Sequence, residues 1–165
     1  MDPDRHHFKT IRTAKAFIHG SMGSDSPARV TKAVLFLALY IQQLPNSIAN
    51  QQTKLSVHPE ARLDSYLLLA NMLLSISGDT TPTIDGLECL IILAKLYMNM
   101  GKVRESWLSI RRAINLGLLL RLHNAAGPGK DREHELWSHL WQTDRQLSLV
   151  LGLPASKDYI ILLRL

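Results

Sequence analysis

The 165-residue chain is 46% hydrophobic and 20% charged, which excludes a disordered tail and suffices for one domain with its own core. Its net charge of +5 permits a polyanionic partner without requiring one, and its single cysteine excludes an internal disulfide and a zinc site built on several thiolates. Taken in chain order, the N-terminus MDPDRHHFKT is charged where a secretory signal needs an apolar centre. Phe8, Ile11, Ala14, Phe17 and Ile18 then recur at steps of three and four, predicting an amphipathic helix over residues 3–19 that ends at Gly20. GSMGSDSP reads as a flexible link. Ser26 followed by Pro27 is a helix start, because proline in the first turn gives up no needed hydrogen bond. This helix runs to Pro45, and its apolar middle, Ala33 to Ile41, belongs deep in a core. That run is far short of the ~20 residues that span a bilayer, so the reading is an intracellular, soluble protein.

Asn46 to Val57 is polar and aperiodic, a loop. Pro59 opens a further helix with the stripe Leu63, Tyr66, Leu67, Ala70, Leu73 and Leu74, which stops before Gly78. SGDTTPT is a second turn-rich link. Asp85 and Glu88 stand three apart, as in a capping box opening a helix over 85–100, and Gly101 ends it with a left-handed cap. A helix over 102–123 follows, then AAGPGKD, then a last helix over 132–151 stopped by Gly152 and Pro154. No segment sustains period-two alternation, and the apolar tail Ile160–Leu163 has no partner strand. The fold class is all-α: an irregular antiparallel bundle of five to six helices.

The seven histidines raise a metal question that their spacing answers poorly. His6 and His7 diverge by ~100° on a helix, His134 and His139 are five apart, and no H-E-x-x-H run occurs. There is no phosphate loop before a Lys-Ser or Lys-Thr pair and no G-x-S-x-G elbow, so the residues offer no catalytic constellation. Cys89 lies in an apolar helical run and reads as a small core residue in a reducing compartment. Residues 101–132 hold seven cations and two anions, an excess equal to the whole net charge; a solvated basic face explains it more simply than a phosphate track.

The last helix carries Trp137, Trp141, Asp144, Ser148 and Leu151 on one face, together with Leu140 and Leu147. A carboxylate among tryptophans is costly to desolvate unless a cation meets it, and Arg111 and Arg112 on the preceding helix are the candidates. Trp107 shares a stripe with Ile110, Ala113, Ile114 and Gly117. A mid-helix glycine costs about 1 kcal/mol relative to alanine, so Gly117 predicts close approach of another helix.

These residues form an ordered set: a Gly-Leu-Glu-Cys-Leu helix, the Gly101 turn, Ser106-Trp107, Arg112-Ala113-Ile114, Leu122-His123, Leu136-Trp137, then Asp144-Arg145-x-Leu-Ser148-x-x-x-Gly152-x-Pro154. The set resembles the fungal-specific transcription factor domain, the middle homology region of Zn2Cys6 binuclear zinc cluster regulators. Phe36 to Pro45 is similar to that family's first core helix, and the resemblance covers about Ala28 to Pro154. It implies a helical regulatory region in a nuclear transcription factor, without catalysis. On this reading residues 1–25 are an N-terminal helix and linker, and 26–165 are the regulatory domain, expected to be C-terminally incomplete and to expose apolar surface. Relatives bind DNA through a cluster of six cysteines holding two zinc ions; one cysteine cannot hold it, so no cofactor is expected here. Partners are expected to be a second copy or other proteins, and DNA only through that missing module, with at most weak, salt-sensitive binding by this chain. Gly101, Trp107, Ala113, His123, Trp137, Trp141, Asp144, Arg145, Ser148, Gly152 and Pro154 are the signature positions, read as structural. The family's Leu-Gly-Leu-His-Arg stands here as Leu120-Arg121-Leu122-His123-Asn124. A tetratricopeptide-like adaptor is the competing reading, from Tyr97, Gly101 and Ala113 in the LAKLYMNMGKVRESWLSIRRAINL hairpin.

Overall fold

The computed structural model describes residues 11–43, 59–77, 82–124 and 129–156. The expected loop at 46–57, the apolar tail Ile160–Leu163 and the His6–His7 pair lie outside them. Among the described residues there are six α-helices and no strand: α1 Ile11–Met22, α2 Pro27–Gln42, α3 Pro59–Ser77, α4 Ile84–Asn99, α5 Val103–Leu119 and α6 Asp131–Leu151. The fold is all-α.

The helices follow one another as a stack. α2 packs on both α3 and α4, and α5 packs on both α4 and α6, while α1 lies against α2. Phe17 of α1 meets Phe36 of α2 edge-on, with ring centroids 5.7 Å apart. The irregularity sits at α2 and α4, which run parallel. Near their N-termini Cys89 Sγ donates to the Ala28 carbonyl, and near their C-termini Gln42 Nε2 donates to the Leu96 carbonyl at 3.1 Å. α5 runs antiparallel to α4, with Ser106 Oγ donating to the Ala94 carbonyl at 2.9 Å. The core is aliphatic: Leu35, Leu87, Leu93, Leu96, Ile110 and Leu140 are all under 2% exposed.

Several boundaries follow from local chemistry. Pro27 opens α2 behind Ser26, and Pro59 opens α3, as their sequence suggests. α1 does not stop at Gly20; it continues to Met22, since one exposed glycine only lowers helix propensity and need not end a helix. α4 is not capped by an Asp85–Glu88 box. Thr83 is the N-cap, its hydroxyl accepting from the Gly86 amide at 3.0 Å. The two acids turn instead to Lys32 of α2.

Gly101, at φ +72, ends α4 as expected: its amide donates to the Met98 carbonyl at 3.0 Å and that of Lys102 to Tyr97 at 2.9 Å, a Schellman closure. Gly152, at φ +65, repeats the pattern after α6, with Leu153 donating to Ser148 at 2.8 Å. The helix expected over 102–123 is shorter. It stops at Leu119 because Arg121 takes φ +56, which turns the chain into a 3-10 turn at Leu122–Asn124 and buries Leu122. Among non-glycine residues described, Arg121 alone is left-handed.

Candidate functional site

The signature positions distribute over three places, and the most elaborate lies where α5 crosses α6. The antiparallel pairing of these helices sets Trp107 beside Ser148, Arg111 beside Asp144 and Gly117 beside Trp137. Asp144 is 1% exposed at its side chain, and its Oδ1 meets Arg111 Nε at 2.7 Å. That contact is an ion pair rather than a well-aligned hydrogen bond. Its other oxygen, Oδ2, accepts from the Ser156 backbone amide at 2.8 Å.

Arg111 is the hub. One terminal nitrogen donates to Ser156 Oγ at 2.7 Å, and the other donates to the Pro154 carbonyl at 2.7 Å and lies 3.5 Å from Ser148 Oγ. Its guanidinium also stacks over the Trp107 ring, 4.7 Å from the centroid, while Trp107 Nε1 donates to Ser148 Oγ at 2.9 Å. The fork geometry of arginine allows one residue to hold a carboxylate, a carbonyl, a hydroxyl and a ring together; lysine could not. Of the two candidate cations Arg111 is the partner, while Arg112 is exposed. The consequence is mechanical: residues 153–156, leaving α6 through Gly152, are fastened back onto α5.

The second group is aromatic. Gly117 lets α6 approach: a Cβ there would stand 3.2 and 3.3 Å from Trp137 ring atoms and 3.5 Å from Leu87 Cδ1. His123 of the 3-10 turn lies against the same ring, centroids 5.9 Å apart. Ala113 is fully buried in the core nearby in sequence. The third pair has the exposed Arg145 over the half-buried Trp141, 4.0 Å from the ring centroid. Gly101 and Gly152 serve as turn residues.

A fourth cluster was not recognised in the sequence. Lys32, only 5% exposed in an otherwise apolar stretch of α2, pairs with Asp85 at 3.2 Å and with Glu88, and Glu88 also takes Arg132 of α6. Burial pulls the Lys32 ammonium down, but the hydrogen bonds and charges of Glu88 and Asp85 outweigh it and raise it above its usual 10.5. The available signal was a lone lysine in AVLFLALY's helix matched by two acids three apart on another.

Chemically, these arrangements hold helices together. Both Asp144 oxygens are shielded from solvent and face Arg111 and the Ser156 amide. Cys89 is fully buried, and desolvation pushes its thiol up to about 12, the reverse of a reactive or metal-binding thiolate. Among the described residues no three of His, Cys, Asp and Glu are placed to hold a metal. This donor set does not fit a zinc cluster. Among the same residues no helix is long and apolar enough to cross a membrane.

Comparison with known proteins identifies the family. The family model described as the fungal specific transcription factor domain matches residues 5–165. The chain belongs to that family. Among its relatives, a dehydrocurvularin biosynthesis regulator of Aspergillus terreus is 25% identical over 158 residues, covering 90% of this chain and 22% of the relative. Transcription factor eupR of a Phoma species is 31% identical over 140 residues, covering 78% of this chain and 30% of its own length. Transcription factor sdnS of Sordaria araneosa is 28% identical, covering 78% and 18%. The chain thus spans under a third of these curated relatives. No solved structure matches it. A tetratricopeptide reading of this fungal-specific domain is not favoured, because α6 opens 47 residues after α4 where a ~34-residue repeat is needed.

Proposed function

We propose that this chain is a regulatory helical region of a fungal zinc-cluster-type transcription factor, acting in the nucleus and without catalysis. The observation that supports this best is the family match across 5–165, joined to a signature set spent on helix-to-helix fastening rather than on a reaction. Its relatives carry names of biosynthesis regulators and transcription factors, which supports the same kind of role for this chain. DNA contact belongs to a cysteine-rich module that these residues do not supply, and control runs through contacts with protein. No cofactor is bound by this region.

The test is a fungal reporter assay. The 165-residue chain is fused between a heterologous DNA-binding module and an activation segment, and output is compared with a fusion carrying a linker of equal length. A change in output that is lost in Asp144→Ala supports regulation through the folded domain. Output equal to the linker control would refute it. Binding of the isolated chain to duplex DNA should be weak, indifferent to sequence and steeply reduced by salt. Tight, sequence-specific binding would contradict the proposal.

A further inference from the structure

Beyond the fastened α5–α6 crossing, α4 and α6 both lie on α5. Near their N-termini they are tied by the Glu88–Arg132 ion pair and by Leu87 and Trp137, which meet at Gly117. Between their C-terminal halves is a cleft of about 470 Å³, within the usual size range of ligand pockets. Its floor is Ile110 of α5, its walls are Met98 of α4 with Leu147 and Val150 of α6, and it is predominantly apolar. Lys95 on the α4 wall and His139 on the α6 wall are its charged or chargeable groups, and no carboxylate lines it. Met98 and Val150 remain 44% and 66% exposed at the mouth.

A short ligand with an apolar body and one anionic end fits both the volume and the sign of charge. We propose that the α4–α6 cleft binds an amphiphilic carboxylic acid, its hydrocarbon on Ile110, Leu147, Met98 and Val150 and its carboxylate held by Lys95. The apolar lining supplies the affinity, and the cation selects the acid over a neutral analogue.

The probe is octanoate, below its micellar concentration, with 1-octanol as the neutral analogue of equal chain length. Both are titrated into the full 165-residue chain while backbone amide shifts are followed by NMR. Octanoate is expected to bind saturably, shifting amides of residues 91–98 and 143–150, and to bind about tenfold more tightly than octanol. Lys95→Met should erase that preference and leave octanol binding unchanged. Thr143→Trp, which fills the cleft from its wall, should abolish both. Equal affinity for acid and alcohol, a preference that survives Lys95→Met, shifts that map elsewhere, or no saturable binding would each overturn the proposal. If Thr143→Trp unfolds the chain, the acid–alcohol comparison in the native protein and in Lys95→Met still decides it.

Discussion

Replacing Arg121 with glycine should stabilise this protein. Arg121 holds φ +56 at the end of α5, a conformation that costs an L-residue about 1–2 kcal/mol. Glycine removes that strain but gives the unfolded chain more freedom, offsetting about 0.5–1 kcal/mol. The Arg121 side chain is exposed, so little packing is lost with it. The net expectation is a gain of about 0.5–1 kcal/mol, which raises Tm by about 1–4 °C in a chain of this size. Thermal and urea unfolding followed by circular dichroism would measure it. Arg121→Ala is the control: it removes the same charge, keeps the strained backbone, and should give no gain. A loss of stability in Arg121→Gly, or an equal gain in Arg121→Ala, would refute the strain argument.

Gly117→Ala should have the opposite effect, since its Cβ would stand 3.2 Å from the Trp137 ring; a loss of about 1–3 kcal/mol is expected in the same assay, with perturbed tryptophan fluorescence. Lys32, raised above its usual 10.5 by Glu88 and Asp85, contributes stability that is fully present below that value and is lost as pH rises through the folded one. Unfolding titrations at alkaline pH should therefore show a decline in the native protein that is smaller in Lys32→Met, whose stability is already lower at neutral pH. Cys89, buried and pushed up to about 12, should label with a thiol reagent only in denaturant; fast stoichiometric labelling of the native chain would contradict its placement between α2 and α4.

The helices were legible in the sequence wherever punctuation and periodicity agreed, as at Pro27, Pro59, Gly101 and Gly152. The pairing of Asp144 with a cation was legible too, because a carboxylate on the face of Trp137 and Trp141 demands one. What failed has a common cause. Asp85 and Glu88 satisfy a local capping pattern, yet a buried lysine 53 and 56 residues away competes for them and wins. Arg121 looked like a helical residue because arginine has good intrinsic propensity, and only burial of Leu122 forces the left-handed turn before it. Ser156 is not legible in the sequence because nothing local marks a serine whose amide and hydroxyl both serve a distant ion pair. The α4–α6 cleft depends on how three helices pack, which periodicity does not encode.

The central claim is that the cluster around Asp144 is a fastening between α5, α6 and the segment that follows, and a double-mutant cycle on Arg111 and Asp144 tests it most directly. Arg111→Met and Asp144→Asn are measured singly and together by chemical denaturation. Arg111→Met should lose about 3 kcal/mol, because it strands the buried Asp144 carboxylate, Asp144→Asn should lose less, because Arg111 is partly exposed, and the double variant should lose little more than Arg111→Met alone, giving a coupling of about 1–2 kcal/mol. Additive losses, or single variants as stable as the native chain, would contradict it.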